Sequence, residues 1–241
     1  MTTPFNQPRY GYGATTIDRA TIDEALRAYM LRVYNYMGSG LALSAIVALV
    51  VSQSPALMQT LFGSGLAFVV MLAPLGLLLV MSFGANKMSA GAVQALYWAF
   101  TATMGLSIST IFLVYTGESI LRVFFITAAM FGAMSLWGYT TKRDLTGMGS
   151  FLFMGVIGLI IASVVNIFLG STALQFAISA ITVLVFTGLT AYDTQRIKSE
   201  FYEGDPADIQ TKQAVFGATS LYVNFLNIFM ALLQLFGQRN N

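Results

Sequence analysis

Charged residues are absent from two long stretches of this chain, and the breaks inside those stretches define the elements. After Arg32, 54 residues carry no charged side chain up to Lys87, and from Leu145 to Tyr192 a further 48 carry none. Both runs exceed the ~20 apolar residues that one helix needs to cross a bilayer. The first run divides at Ser52-Gln53-Ser54-Pro55 and the second at Gly170-Ser171. Further breaks fall at Gly84–Gly91, Thr116–Glu118, Thr141–Gly149 and the polar segment Thr194–Gln213. The pattern predicts seven helices, at roughly 33–51, 60–83, 93–115, 120–140, 150–169, 173–193 and 214–236. Residues 1–28 are polar and carry Pro, Gly and Thr. They predict a flexible tail that ends in a short helix, with Thr21, Asp23 and Glu24 as its start signals. No linker or shift in composition marks a second domain. The expected organisation is a tail over 1–28, one seven-helix transmembrane domain over 29–237 and a short C-terminal tail over 238–241.

Polar residues within the apolar helices fall into stripes. In the seventh helix Gly217, Ser220, Asn224, Asn227, Ala231 and Gln234 recur at steps of three and four, which places them on one face. The opposite face is Leu, Phe, Ile and Met. An amide turned to lipid is desolvated without partners, so this stripe must face protein or a water-filled cavity. The sixth helix repeats the pattern at Ser179, Thr182, Phe186, Thr190 and Asp193, and the third at Gln94, Trp98, Thr101, Gly105 and Ser109. Two readings are open. The stripes are interhelical hydrogen-bond contacts, each contributing ~0.6 kcal/mol, or they line a hydrated pathway.

Asp193 is the only acid within or at the edge of a stripe. It is either an ordinary helix-end residue paired with Arg196 at i+3, or a buried acid with a task. An acid is disfavoured by the dipole at a helix C-terminus. If the helix runs on to Lys198, Asp193 lies a turn below the headgroups, where ionisation costs more.

Composition agrees with lipid as the main solvent: 56% of residues are hydrophobic, 9% are charged and mean hydropathy is +0.73. The net charge of +2 and the absence of a basic run argue against nucleic acid. The chain has no Cys and no His. That excludes disulfides, thiolate catalysis, zinc sites of the usual kind and Ser-His hydrolysis. No apolar run of the signal-peptide type stands in the first 32 residues. Ten of the twelve Lys and Arg residues fall on one side of the predicted bundle, with only Arg122 and Arg239 on the other. The positive-inside rule then predicts a cytoplasmic N-terminus and a C-terminus outside.

The segment "TGLTAYDTQRIK" (187–198) resembles the signature of the Bax inhibitor family, the transmembrane Bax inhibitor motif proteins. "TKRDLTGMGSFL" (141–152) and "SLYVNFLNIFMALLQLFG" (220–237) fit the same family, and the resemblance covers roughly residues 25–237. It implies an all-α integral membrane protein, a seven-helix bundle with the last helix central, in the inner membrane of a bacterium. Bacterial members are similar to calcium-leak channels whose opening depends on pH. In those, aspartates on the sixth and seventh helices share a proton at the cytoplasmic mouth, and a basic residue after the second helix acts as a latch. The first aspartate matches Asp193. The second falls at Asn224, within "LYVNFLN" where channel-type members read "LYLDFIN", and the latch falls near Lys87. The resemblance therefore assigns gating to Asp193, Asn224 and Lys87, to which the spacing adds Arg196. Two close carboxylates titrate in coupled steps. An Asp–Asn pair lacks that repulsion, so proton gating is expected to be weakened or shifted.

The first expected function is a passive pathway for Ca²⁺ with Asp193 at the cytoplasmic mouth. Thr190, Thr182, Ser220, Asn227 and Gln234 are the candidate pore-lining residues. Asp193, with Asn224, Asn227 and Thr190, offers oxygen ligands. One acid makes a weak Ca²⁺ site, which fits leak better than storage. The alternative is a regulator that binds a membrane complex such as an ATP-dependent membrane protease, with the tail 1–28 and the loop 194–213 as its handles. Enzyme readings fit poorly. An intramembrane aspartyl protease needs two acids at depth, and a retinal protein needs a Lys in the last helix, where none stands between Gln213 and Gln238. No cofactor is expected, and the lipid bilayer is the expected surrounding.

Overall fold

A computed structural model describes residues 19–85 and 87–240, with side chains from Asp23 onward. The described residues form α1 (Arg19–Ser52), α2 (Pro55–Phe62), α3 (Leu66–Gly84), α4 (Ala90–Ile108), α5 (Ile111–Val114), α6 (Gly117–Thr140), α7 (Thr146–Leu169), α8 (Thr172–Glu200) and α9 (Ala207–Phe236). Seven segments are long and apolar enough to cross a membrane, with α4 and α5 joined in one of them. The chain is thus an all-helical integral membrane protein with seven spans.

The punctuation residues act as local chemistry dictates. Ser54 caps α2 by accepting from Leu57 N, with Pro55 at the first helical position, where its missing N–H costs nothing. Ser89, Thr116 and Ser171 cap α4, α6 and α8 in the same way. Gly170 ends α7 at φ 59°, in the left-handed region that favours glycine. Its N–H returns to Asn166 O, and Ser171 opens α8 directly.

Five of the expected helices differ from the sequence expectation. The sixth span does not end at Asp193 but runs to Glu200, and the seventh starts at Ala207 instead of 214. The polar segment expected over 194–213 reduces to Phe201–Pro206. Partners in neighbouring helices extend α8 past Asp193, and the breakers that remain are Gly204 and Pro206. The second span splits into α2 and α3 around Gly63–Gly65, and the third is interrupted at Ser109-Thr110 between α4 and α5. The short helix expected before the first span continues into it as α1, and residues 1–18 lie outside the described residues.

The bundle is built around α9, which packs against α8, α1, α6 and α4. In its most apolar stretch 72% of residues are buried, against 6% in α7 and 17% in α3, which lie at the periphery. The apolar face of α9 is fully covered, with Leu221, Tyr222, Ile228 and Leu233 all buried, whereas along the polar stripe Gly217, Asn224 and Ala231 are buried, Ser220 and Asn227 half-buried and Gln234 exposed. One hydroxyl cluster ties three helices together. Ser44 Oγ lies 2.6 Å from Thr101 O and 2.6 Å from Tyr222 Oη. Because the serine proton goes to the carbonyl, the tyrosine is the donor to Ser44. A Cβ at Gly105 would lie 2.6 Å from Ser44 O, so α1 and α4 touch backbone to backbone. The third-span stripe is used for this packing.

At the end opposite the basic face, the last residues fold back on the bundle. Thr116 N donates to Gln238 O at 3.0 Å and Asn240 N to Val114 O at 2.9 Å. Gln238 N donates to Ser119 Oγ at 2.9 Å, and Asn240 Nδ2 donates to Leu113 O at 3.1 Å. The last carbonyls of α5 thereby gain donors that the helix cannot supply itself.

Candidate functional site

Asp193 sits about two turns inside the end of α8 and is buried, with 3% of its surface exposed. Asn224, on α9, faces it and is 4% exposed. Asn224 Nδ2 donates to Asp193 Oδ2 at 2.7 Å. Arg196 Nη2 approaches the other oxygen, Oδ1, at 3.0 Å as an ion pair, but Oδ1 receives no hydrogen bond. Arg196 Nη2 also donates to Ser220 Oγ at 3.1 Å, and Arg196 Nε lies 3.9 Å from Glu200 Oε1. The i+3 pairing and the buried acid, set against each other above, coexist: one carboxylate oxygen meets an amide and the other a guanidinium.

Neighbouring helices hold this arrangement. Ile197 packs over Gly217, which brings α8 and α9 together. On the other side α6 presses on α8 at Gly138, where an added Cβ would lie 2.8 Å from Ala191 Cα. Thr194 Oγ1 donates to Thr190 O at 2.8 Å and lies 3.0 Å from Ser135 Oγ, which in turn meets Tyr34 Oη at 2.6 Å. Because the Thr194 proton goes to Thr190 O, Ser135 donates to Thr194 and Tyr34 donates to Ser135.

Of the remaining residues singled out from sequence, Ser220 joins the Asp193 cluster through Arg196. Lys87 does not: it is exposed in the loop between α3 and α4 and makes no ion pair among the described residues. That loop is nonetheless at the same end, because Lys212 Nζ reaches Ala85 O at 3.4 Å. Thr182, Thr190 and Asn227 return their polar hydrogens to the carbonyls of Ile178, Phe186 and Val223 in their own helices. Gln234 belongs to a separate cluster at the opposite end. Its Oε1 accepts from Gln175 Nε2 and Ser179 Oγ, both at 2.8 Å, and Asn166 Nδ2 donates to Gln175 Oε1 at 3.0 Å. Asn166 and Gln175 were not expected. They are uncharged polar residues inside an apolar run, a signal available in the sequence.

Buried polar atoms that make no hydrogen bond concentrate at the Asp193 end. Among the described residues these are Tyr29 Oη, Asp193 Oδ1, Arg196 Nε, Glu203 Oε2 and Gln213 Oε1, with Thr187 Oγ1 the one exception. Buried groups of this kind are ordinarily met by water or an ion. No group of three or more metal-ligating acidic, His or Cys side chains occurs among the described residues. Nearby, outside the spans, hydrogen bonds from the Thr146 side chain and backbone hold the Asp144 carboxyl below its usual range. The backbone donation measures 2.9 Å.

The model of the family described as inhibitor of apoptosis-promoting Bax1 matches residues 26–241. The chain belongs to the Bax inhibitor family. Bacterial relatives extend over nearly the whole length. Inner membrane protein YbhL of Escherichia coli is 46% identical over 217 residues, covering 89% of this chain and 93% of the relative. Protein RP147 of Rickettsia prowazekii is 45% identical over 227 residues, covering 94% and 96%. A protein of Caulobacter vibrioides is 49% identical over 233 residues, covering 91% and 93%. This Bax inhibitor family member thus brings two of its signature segments, 187–198 and 220–237, face to face at Asp193 and Asn224.

Proposed function

We propose that this Bax inhibitor family protein is a passive pathway for cations, with Ca²⁺ as the transported ion and Asp193 as the group that controls its basic-side mouth. The observation that carries this reading is a buried acid whose Oδ1 accepts no hydrogen bond, among four other buried polar atoms at the same end that make none. Such a carboxylate stabilises a cation or water more than it stabilises a dry helix contact. Arg196 and Asn224 hold it in the closed arrangement, and Ser220 steadies Arg196. The resemblance contributes the two-acid gate, with Asn224 standing where the second acid would be. By analogy with YbhL the membrane is the inner membrane, and the basic face, with the N-terminus, is cytoplasmic. The alternative, a regulator of a membrane complex, gains little from the fold: one of its two expected handles, residues 194–213, is mostly helix.

The test is Ca²⁺ flux into liposomes holding the purified protein, measured against pH. Asp193→Ala is expected to change the flux at least tenfold, by loss of ion attraction or by release of the closed state. Flux equal to wild type in that variant would sink the assignment. Asn224→Asp creates the two-carboxylate pair and is expected to move the pH midpoint; an unmoved midpoint argues against proton control at this pair.

A further inference from the structure

The segment 141–152, one of the three that carry the family resemblance, plays no part in the mouth described above. It builds a different feature. A cavity of about 390 Å³ opens at the basic end between the α6–α7 connection and α8. Lys142 and Arg143 line one wall and Arg196 and Ser199 the other. Three cations thus face one acid, Asp144, whose Oδ1 is already engaged by Thr146 N. Lys142 and Arg143 make no ion pair among the described residues, and Arg196 keeps a buried Nε without a hydrogen bond.

The wall is fixed in place. Gln195 Nε2 donates to Arg143 O at 2.8 Å, and Gln195 Oε1 accepts from Leu145 N at 2.9 Å. One side chain of α8 therefore clamps the backbone on both sides of Asp144. Lys198 Nζ donates to Tyr139 O at 2.9 Å and secures the end of α6. Arg196 shares its charge with Asp193 and Glu200, but Lys142 and Arg143 stand side by side without an ion pair among the described residues, which is unfavourable unless an anion joins them. Just below the cavity, the Tyr192 ring meets Phe153 at 5.9 Å in an edge contact, and Phe153, Phe151 and Met154 expose their side chains on the outer surface of α7. A polar cationic recess thus continues into an apolar wall, the same order in which a phospholipid presents headgroup and chain.

We propose that this recess binds a phosphate group, namely that of an anionic phospholipid of the adjoining leaflet, with Lys142, Arg143 and Arg196 as its ligands. Guanidinium forks suit phosphate oxygens, and Lys adds a mobile point charge. Choline headgroups are rejected because their own cation meets three others. Arg196 serves two anions, so a phosphate in the recess competes with Asp193 Oδ1 for the same guanidinium. Binding itself does not rest on ion conduction.

The experiment is thermal unfolding of the full chain in phosphatidylcholine nanodiscs, with and without phosphatidylglycerol, and separately with inorganic phosphate in solution. Wild type is expected to gain several degrees from phosphatidylglycerol, and Lys142→Gln/Arg143→Gln to lose more than half of that gain. Arg27→Gln/Arg32→Gln removes equal charge from the same face on α1 and is expected to keep the gain. Midpoints in pure phosphatidylcholine report folding of each variant, and either single substitution in the recess replaces a double variant that fails to fold. Equal losses in the two double variants, or no gain in wild type, would overturn the site. A gain with inorganic phosphate but none with phosphatidylglycerol would overturn the lipid as its source.

Discussion

Gly138→Ala is expected to lower the thermal midpoint of the purified protein by roughly 6–12 °C, from overpacking that costs ~3 kcal/mol in a chain of this size. On helix propensity alone the sign would be opposite, since Ala is favoured over Gly in a helix interior by about 1 kcal/mol. The contact decides. A methyl at position 138 would stand 2.8 Å from Ala191 Cα and 2.9 Å from Ala191 C, with Ala191 O closer still. These are backbone atoms in the middle of a long helix and have no rotamer to yield. α6 and α8 must separate, and Ser135 and Thr194 lose their contact. Gly158→Ala is the control. Nothing lies within 4 Å of its added carbon, and its midpoint is expected to stay or rise slightly. A drop at Gly158 equal to that at Gly138 would show that the steric account is wrong.

The second large effect is an ordering of three variants. Asn224→Leu removes the only hydrogen-bond donor to a buried carboxylate and is expected to cost about 3 kcal/mol. Asp193→Asn should cost about 1 kcal/mol, because an amide oxygen still accepts from Asn224 and the released guanidinium is partly solvated. The Arg196 side chain is 35% exposed and has Glu200 beside it. Replacing both, Asp193→Leu with Asn224→Leu, should be less destabilising than Asn224→Leu alone, because no buried charge is left without a partner. Chaotrope or thermal unfolding in one detergent ranks the three. If Asp193→Asn is the worst of them, the carboxylate contributes more through Arg196 than through Asn224.

The helices were legible because lipid demands long apolar runs, and Gly, Pro and Ser marked most of their ends. The end of α8 was misplaced for a definite reason. Polarity after Asp193 resembles a loop, yet Thr194, Gln195, Arg196 and Lys198 are all placed on the helix by partners in α6, α9 and the α6–α7 connection. Those partners are distant in sequence, and no local propensity encodes them. The stripes of step three and four placed Asp193 and Asn224 each on the inward face of its own helix, and their pairing was what the family resemblance implied. Gln195 was not legible, since its clamp on Arg143 and Leu145 lies off that stripe. The stripe residues Thr182, Thr190 and Asn227 show the limit of the pattern. Periodicity placed them on one face, but whether a hydroxyl meets a neighbour or its own helix carbonyl is a matter of rotamer.

The central position of α9 has a consequence for biosynthesis. Of the seven spans it is the last to leave the ribosome, yet it is the one around which the others close. Until it enters, the six earlier spans occupy the membrane with Asp193, Ser44 and Thr101 lacking their final surroundings, at a cost that lipid cannot relieve. Assembly therefore waits on the last helix, and an arrest of translation before Ala207 leaves a species whose polar centre is open to lipid.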